Sequence, residues 1–307
     1  MHKHGLRNII AALIPAAMII SGLPAQALAE DAGSSVARTG ISYSLYEECG
    51  VYSGGELLFC AKKEYKGSGI YFPLKDICAV FLADAEVSEH FSAGTVFVTG
   101  AKLELSADIS AGYITANDRY LYSKDSVRVI DGAFCLSLDL VRSIFGNAFT
   151  ADEKGNRVDV NPDEISIIYG VPEYYELRYS SGQDLYWLSR IIYSEASGTS
   201  LSEQIAVGNV VMNRVADEIY FADNIKDVIF EEIEGVIQFS PVEAGGIYLE
   251  PDEQSLIAAY ICLEGCNLIG DAEYFVSNVK GDVSWFRSCL ELVAVYGTHE
   301  FYRDPRY

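Results

Sequence analysis

Residues 191–198 read Ile-Ile-Tyr-Ser-Glu-Ala-Ser-Gly, so a lone carboxylate, Glu195, follows an apolar run and stands just ahead of a glycine. Leu185, Leu188, Ile191 and Ile192 form a stripe at helical spacing, and Glu195 falls three residues after Ile192 on that same stripe. Gly198 supplies the stop. A carboxyl in that place feels two influences of one sign. Burial against apolar neighbours disfavours its charged form, and so does the partial negative charge of a helix C-terminus. Its pKa should rise and a proton should stay available near neutral pH, which is the profile of a general acid. Glu203 has a more ordinary use: with Ser200 it makes an S-x-x-E capping box ahead of Ile205, Val211, Met212 and Val215.

The elements that must position Glu195 can be read around it. One helix opens near Asp184 and ends at Gly198, a second follows Ser200, and a third is expected over Pro251–Leu263, with Pro251 in its first turn and Gly265 beyond its end. Strand-like segments come next, starting at Glu273, Glu291 and His299. Helices first and a small sheet afterwards predict an α+β domain over residues 182–307. Upstream, FPLKDICAVFLADA from Phe72 aligns without gaps to CLSLDLVRSIFGNA from Cys135. Each copy puts apolar residues at helical spacing (Ile77, Val80, Phe81; Leu140, Val141, Ile144) near short alternating strands such as GTVFVTG and VRVIDG. Residues 40–165 are therefore expected to form an α+β module of short strands and helices with an internal repeat. Residues 166–181, rich in Pro, Tyr, Ser and Gly, read as a linker and the seam as polar.

Composition sets the context. The 307 residues are half apolar, enough for two ordinary cores. Lys3 and Arg7 precede an apolar run from Ile9 to Leu23, and A-x-A sites lie at Ala25–Ala27 and Ala27–Ala29, so residues 1–29 read as a signal peptide and the chain as exported to the cell wall or medium. Read instead as an uncleaved anchor, the same run still puts the remainder outside. Without it the chain holds 44 acids against 20 bases, a net −24, which argues against nucleic acid and anionic lipid as partners. After removal of the leader no membrane insertion is expected. Seven cysteines leave at least one unpaired within the chain; no C-x-x-C occurs, and Cys262 and Cys266 read as small buried residues on the third helix.

Two resemblances follow from these stretches. Residues from about 45 to 160, with the helix start Pro73-Leu74-Lys75, look like the copper amine oxidase N-terminal-like domain, a module of exported Gram-positive proteins. The second copy lacks the Pro and the basic residue. His90 is the only His in the region, so no copper site is expected, and the module reads as a binding or spacer unit. The blocks LSRIIYSEASG…EQIAVGNVVMNRV, VIQFSPVEAGG, AEYFV, Trp285 and YGTHEFYR, in that order, resemble the cell-wall hydrolase family typified by the spore-cortex-lytic enzyme SleB. That resemblance implies a lysozyme-like α+β catalytic domain acting on peptidoglycan glycan strands. It implies that Glu195 is the essential acid of a lytic transglycosylase, which cuts between N-acetylmuramic acid and N-acetylglucosamine and leaves a 1,6-anhydro product. Thr199 stands where many members carry a second Glu.

A single acid suffices for such a reaction, because the sugar's own 6-hydroxyl replaces water, whereas hydrolysis by the usual routes uses two carboxylates about 5 to 9 Å apart. Gln204, Asn213 and Gln238 are candidate partners for acetamide and hydroxyl groups. Phe239, Phe275 and Trp285 are candidates to stack on sugar faces or to fill the core; Trp285, among polar residues, fits the first use best. His299 closes the set as a hydrogen-bonder near the last strand. No cofactor and no metal are expected: an amidase of the zinc type needs several His ligands, and His299 is the only His after His90. That amidase and a wall-binding protein without turnover are the alternatives.

Overall fold

The computed structural model describes residues 45–169, 182–217, 219–233, 235–279 and 283–305. The expected leader, and the expected linker from residue 170 onward, lie outside them. The polypeptide is a mixed α+β structure.

A seven-stranded sheet frames the first half. Hairpin β1 (Tyr46–Ser53) and β2 (Glu56–Glu64) leads to β3 (Ile70–Pro73) and helix α1 (Leu74–Phe81). Later, β9 (Val127–Ile130) and β10 (Ala133–Ser137) lead to α2 (Leu138–Phe145), then β11 (Phe149–Ala151) and β12 (Arg157–Val160). The strand order is β11-β12-β1-β2-β3-β10-β9, antiparallel except for the β1–β12 pair. The internal repeat has a direct structural meaning. The gapless alignment equates Phe72 with Cys135 and Pro73 with Leu136, so it turns the pair Phe72↔Leu136 into Cys135↔Pro73, and both pairs occur. The copies meet as antiparallel neighbours about a local two-fold. Their helices bury Leu74, Ile77 and Cys78 on one side and Leu140, Val141, Ile144 and Phe145 on the other in a single core. Val80, expected on the apolar stripe, faces outward at 40% exposure.

Between the copies runs a five-stranded antiparallel meander, β4 (Glu86–His90), β5 (Thr95–Thr99), β6 (Glu104–Asp108), β7 (Tyr113–Ala116) and β8 (Arg119–Tyr122).

The second half opens with α3 (Gly182–Ala196) and α4 (Leu201–Ala216), followed by α5 (Ile225–Ile229), the two-residue strands β13 (Glu232–Ile233) and β14 (Val236–Ile237), α6 (Ser240–Ala244) and α7 (Glu253–Leu263). A three-stranded sheet, β15 (Tyr274–Ser277), β17 (His299–Arg303) and β16 (Glu291–Tyr296) in that order, closes the chain, with α8 (Ser284–Cys289) between β15 and β16. Pro251 sits ahead of α7 rather than in its first turn, because Asp252 is the N-cap and accepts from the Ser255 amide at 2.8 Å. Leu188, Ile191 and Ile192 of α3 pack with Ile205, Val211 and Val215 of α4 and Ile257, Ile261 and Cys262 of α7. The three helices meet at Gly208, where a Cβ would lie 2.7 Å from Cys262 Sγ and 2.8 Å from Ile192 Cδ1. All seven cysteines are unpaired; Cys262 is buried and donates to the Ile205 carbonyl at 3.4 Å, while Cys266 is half-buried.

The contact between the halves differs from the polar seam the sequence suggests. Tyr113, Tyr120 and Tyr122 of the meander pack on the second core. Tyr120 stacks on Tyr260 at 5.1 Å and 14°, Tyr122 Oη lies 2.9 Å from Ser202 Oγ, and the Arg119 guanidinium grips Glu264 with its Nε 2.9 Å from each carboxylate oxygen. The cause is aromatic side chains on β7 and β8 set against the outer face of α7. A fragment beginning at Gly182 would thus expose an apolar surface. Arg119→Ala leaves the Glu264 carboxylate, 11% exposed, without its partner. A loss of about 2 kcal/mol is expected, the cost of stranding a mostly buried charged group. Urea unfolding should show this as a lower midpoint at unchanged slope, and an unchanged midpoint would mean that the ion pair adds nothing in solution.

Candidate active site

Glu195 is the penultimate residue of α3, and the chain immediately after it is fastened at several points. Gly198 takes φ +78°, the left-handed turn that ends the helix. The Ser197 amide donates to the Tyr193 carbonyl at 3.0 Å, and the Thr199 hydroxyl to the Ala196 carbonyl at 2.7 Å. Gln254 Nε2 holds the Thr199 carbonyl at 2.9 Å, and Ser200 caps α4 by accepting from the Glu203 amide at 3.3 Å. The last turn of α3 is also tied sideways: Ser194 Oγ donates to the Gly246 carbonyl at 2.9 Å, and α6 and the turn Gly246–Tyr248 pack beside α3. Thr199, the position that lacks a carboxylate, is occupied in holding this turn.

The Glu195 side chain is partly exposed, and among the described residues none donates a hydrogen bond to its carboxyl or pairs with it. Burial pushes its pKa up to about 7. Such a group is part protonated at neutral pH and can give a proton and take one back.

The other residues singled out in the sequence fall into different places. Glu203 makes only half of the capping box. Its backbone amide serves Ser200, but its carboxylate turns inward, where Oε1 accepts from the Thr298 amide (2.9 Å) and hydroxyl (3.0 Å) and lies 2.7 Å from His299 Nδ1. His299 is 6% exposed, held by Glu203 and set beside Phe275 and Phe301, so it braces the final hairpin and does not face a ligand. Gln204, expected to meet a sugar, is fully buried between α4 and α7, with Oε1 accepting from Ser255 Oγ at 3.1 Å. Asn213 is likewise consumed: its Nδ2 donates to the Gly270 and Ala272 carbonyls (2.9 and 2.7 Å), and its Oδ1 accepts from Asn267 (2.8 Å). Phe239 is 2% exposed beneath the Arg214 guanidinium, and Phe275 stacks on Phe301 at 6.1 Å; both are packing residues. Gln204 and Asn213 are thus corrections to the sequence reading, one taken up by the Ser255 hydroxyl and the other by backbone carbonyls, while the two rings take the second of their two expected uses and fill the core.

Gln238 and Trp285 remain part-exposed. Gln238 lies two residues before α6, the element that packs beside α3, and Trp285 meets Phe286 edge-on at 5.3 Å on α8.

A second carboxyl is raised as far as Glu195. Glu273 is pushed up to about 7, first by burial and then by Asp217 beside it, against the pull of Arg214. No local pattern marks it, since its neighbour Asp217 is brought to it only by the fold. It stands at the far end of α4, of which Asp217 is the C-cap. Ile192 faces Gly208 within α4, and Glu195 lies a further turn toward the start of that helix, so the two carboxyls are separated by about 15–20 Å at 1.5 Å per residue. That is too far to serve one glycosidic bond. Glu203, at the near end, is engaged by Thr298 and His299.

Residues 198–302 match the family described as Cell Wall Hydrolase. This segment is a cell wall hydrolase domain. The domain's matched block begins three residues after Glu195, so it spans α4 through most of β17. Spore cortex-lytic enzymes are among the relatives: that of Halalkalibacterium halodurans is 31% identical over 121 residues, 39% of this chain and 35% of that protein. That of Bacillus subtilis is 28% identical over 105 residues, 34% of this chain and 33% of that protein. The chain thus spans about a third of the length of these relatives. Among solved structures, the catalytic domain of the Bacillus cereus SleB protein is 28% identical, covering 40% of this chain and 91% of that one at a TM-score of 0.36. The catalytic domain of the germination-specific lytic transglycosylase SleB from Bacillus anthracis is also 28% identical, covering 40% and 96%, with a TM-score of 0.36.

Proposed function

We propose that the chain is an exported peptidoglycan-cleaving enzyme, a lytic transglycosylase in which Glu195 acts alone as acid and then as base. The observation that carries this reading is a part-exposed carboxyl at the end of α3 with no bonded partner among the described residues and a pKa raised to about 7. The domain's similarity to cell wall hydrolases and the names of its relatives support peptidoglycan as the substrate.

The protonated Glu195 donates to the oxygen linking N-acetylmuramic acid to N-acetylglucosamine. As the bond from C1 to that oxygen breaks, its electron pair leaves with the departing sugar and positive charge develops on the muramyl ring. The muramyl 6-hydroxyl then bonds to C1 while the Glu195 carboxylate takes its proton. The products are a 1,6-anhydro end and a new free 4-hydroxyl, with Glu195 protonated again. No water is consumed, and no second carboxylate is required. A pKa near the working pH suits a group that must both give and accept. Signal-like residues 1–29 support action at the wall, outside the cell.

The test is mass spectrometry of products from purified peptidoglycan. Anhydro-muramic ends are expected. Reducing ends would make the enzyme a hydrolase, and released stem peptides an amidase.

A further inference from the structure

The first domain holds a cavity of about 960 Å³ that neither the repeat nor the catalytic reading uses. Its walls come from three places: the end of α1 with Phe81, the tips of the meander with Lys102 and Asp118, and the segment after β12 with Ile165 and Tyr169. One side chain fastens them together. Asn117 Nδ2 donates to the Lys102 carbonyl at 2.9 Å and to the Ile168 carbonyl at 2.8 Å, while its Oδ1 accepts from the Glu104 amide at 2.8 Å. Asn117 and Asp118 both take positive φ (47° and 64°), the two-residue hairpin turn that presents Asp118 to the cavity. The site is therefore preformed, with a volume at the upper end of the roughly 300–1,000 Å³ usual for ligand pockets.

The lining shows what chemistry would fill it. Among the described residues, the side chains of Lys102, Glu104 and Asp118 make no hydrogen bond or ion pair, although all three border the cavity. Interleaved with them are Phe81 and Ile165, and Tyr169 stands at the cavity with 88% of its surface in water, an unusual position for an aromatic ring. Besides Arg119, which is engaged by Glu264, the lining carries one cation, Lys102, and two carboxylates, Glu104 and Asp118, a mixture that suits no strongly charged polymer of either sign. Dispersed donors and acceptors around apolar and aromatic faces suit a neutral chain of hydroxyls and acetamides with apolar ring faces. Arg119, on the same wall, also grips Glu264 of the cell wall hydrolase domain, so this cavity is joined directly to the seam.

We propose that this cavity binds a neutral glycan of N-acetylated amino sugars, and so serves as a second holding site for the wall polymer; the choice of glycan rests on the proposed peptidoglycan reading. The full chain carrying Glu195→Gln, to slow cleavage during the measurement, is titrated calorimetrically with the N-acetylglucosamine tetramer, alone and with Tyr169→Ala or Lys102→Ala added. Each added change should weaken binding by about fivefold to tenfold, the scale of one lost aromatic or charge-assisted contact. Both residues are exposed, so circular dichroism should be unchanged. Absence of binding, equal affinity in all three proteins, or binding of a free stem peptide in place of the sugar would each overturn the proposal. Failure of the catalytic reading would appear separately, in the product masses.

Discussion

Glu195→Gln is expected to reduce turnover on purified peptidoglycan by about 10² to 10⁴-fold, the usual worth of general acid-base catalysis, with the fold retained. The amide matches the carboxyl in size but cannot give up a proton to the leaving oxygen. The pH dependence supplies a second readout. In the wild type the group that must be protonated has a pKa of about 7, so turnover should fall as pH rises through that value. The same shift has a stability consequence. The ordinary value for a glutamate is 4.5, so between about 4.5 and 7 the folded chain holds a proton that the unfolded chain has released, and stability declines as pH rises across that window and is level above it. The Gln variant lacks this slope, so its stability at pH 8 should equal or slightly exceed that of the wild type. A variant with near-normal turnover, or one with the wild-type pH slope of stability, would remove Glu195 from the mechanism. Glu203→Gln provides the control. The charged acceptor of Thr298 and His299 is weakened, so the melting temperature should fall while the folded fraction still cleaves.

The legible parts of this chain are those decided by neighbours in sequence. The α3 stripe, its stop at Gly198, the Ser200 cap, the strands from residues 274, 291 and 299, and the gapless repeat all follow from local periodicity and turn chemistry, and the cell wall hydrolase similarity follows from blocks in order. Glu195 could be isolated for the same reason: a carboxylate on an apolar stripe is a local anomaly. What remained hidden depends on distant partners. Nothing near Gln204 in sequence shows that Ser255 will bury it, nor does anything near Asn213 reveal three bonds to the loop at residues 267–272. Nothing near Tyr120 or Arg119 in sequence marks them either, because their partners, Tyr260 on α7 and Glu264 at its C-cap, are brought to them only by the fold. Polar residues of the kind that bind ligands are also the kind that satisfy a buried backbone, and spacing alone does not separate the two uses.

The inward turn of Glu203 leads to the second large effect, at a residue with no side chain. Gly297 has φ +53°, and a Cβ built on it would lie 1.9 Å from Glu203 Oε2 and 2.5 Å from Glu203 Cδ. Gly297→Ala therefore meets two penalties. The left-handed conformation costs an L-residue about 1–2 kcal/mol. Relief of the clash requires Glu203 to leave the Thr298 amide, the Thr298 hydroxyl and His299 Nδ1, and stranding a buried carboxylate adds about 1–3 kcal/mol or more. A total of about 2–5 kcal/mol would be a large fraction of the stability of an ordinary domain. Denaturant midpoints should register it directly. The clash account also requires coupling between the two positions. In a Glu203→Ala background the Cβ has room, so Gly297→Ala should then cost only its backbone share, and the cycle should return an interaction of at least about 1 kcal/mol. Additive losses would mean that the glycine is needed for its turn alone. A wild-type midpoint for Gly297→Ala would mean that the close approach of Glu203 to this turn does not occur in solution, and with it would go the bracing of the α4 N-terminus, just beyond Glu195, by the last hairpin.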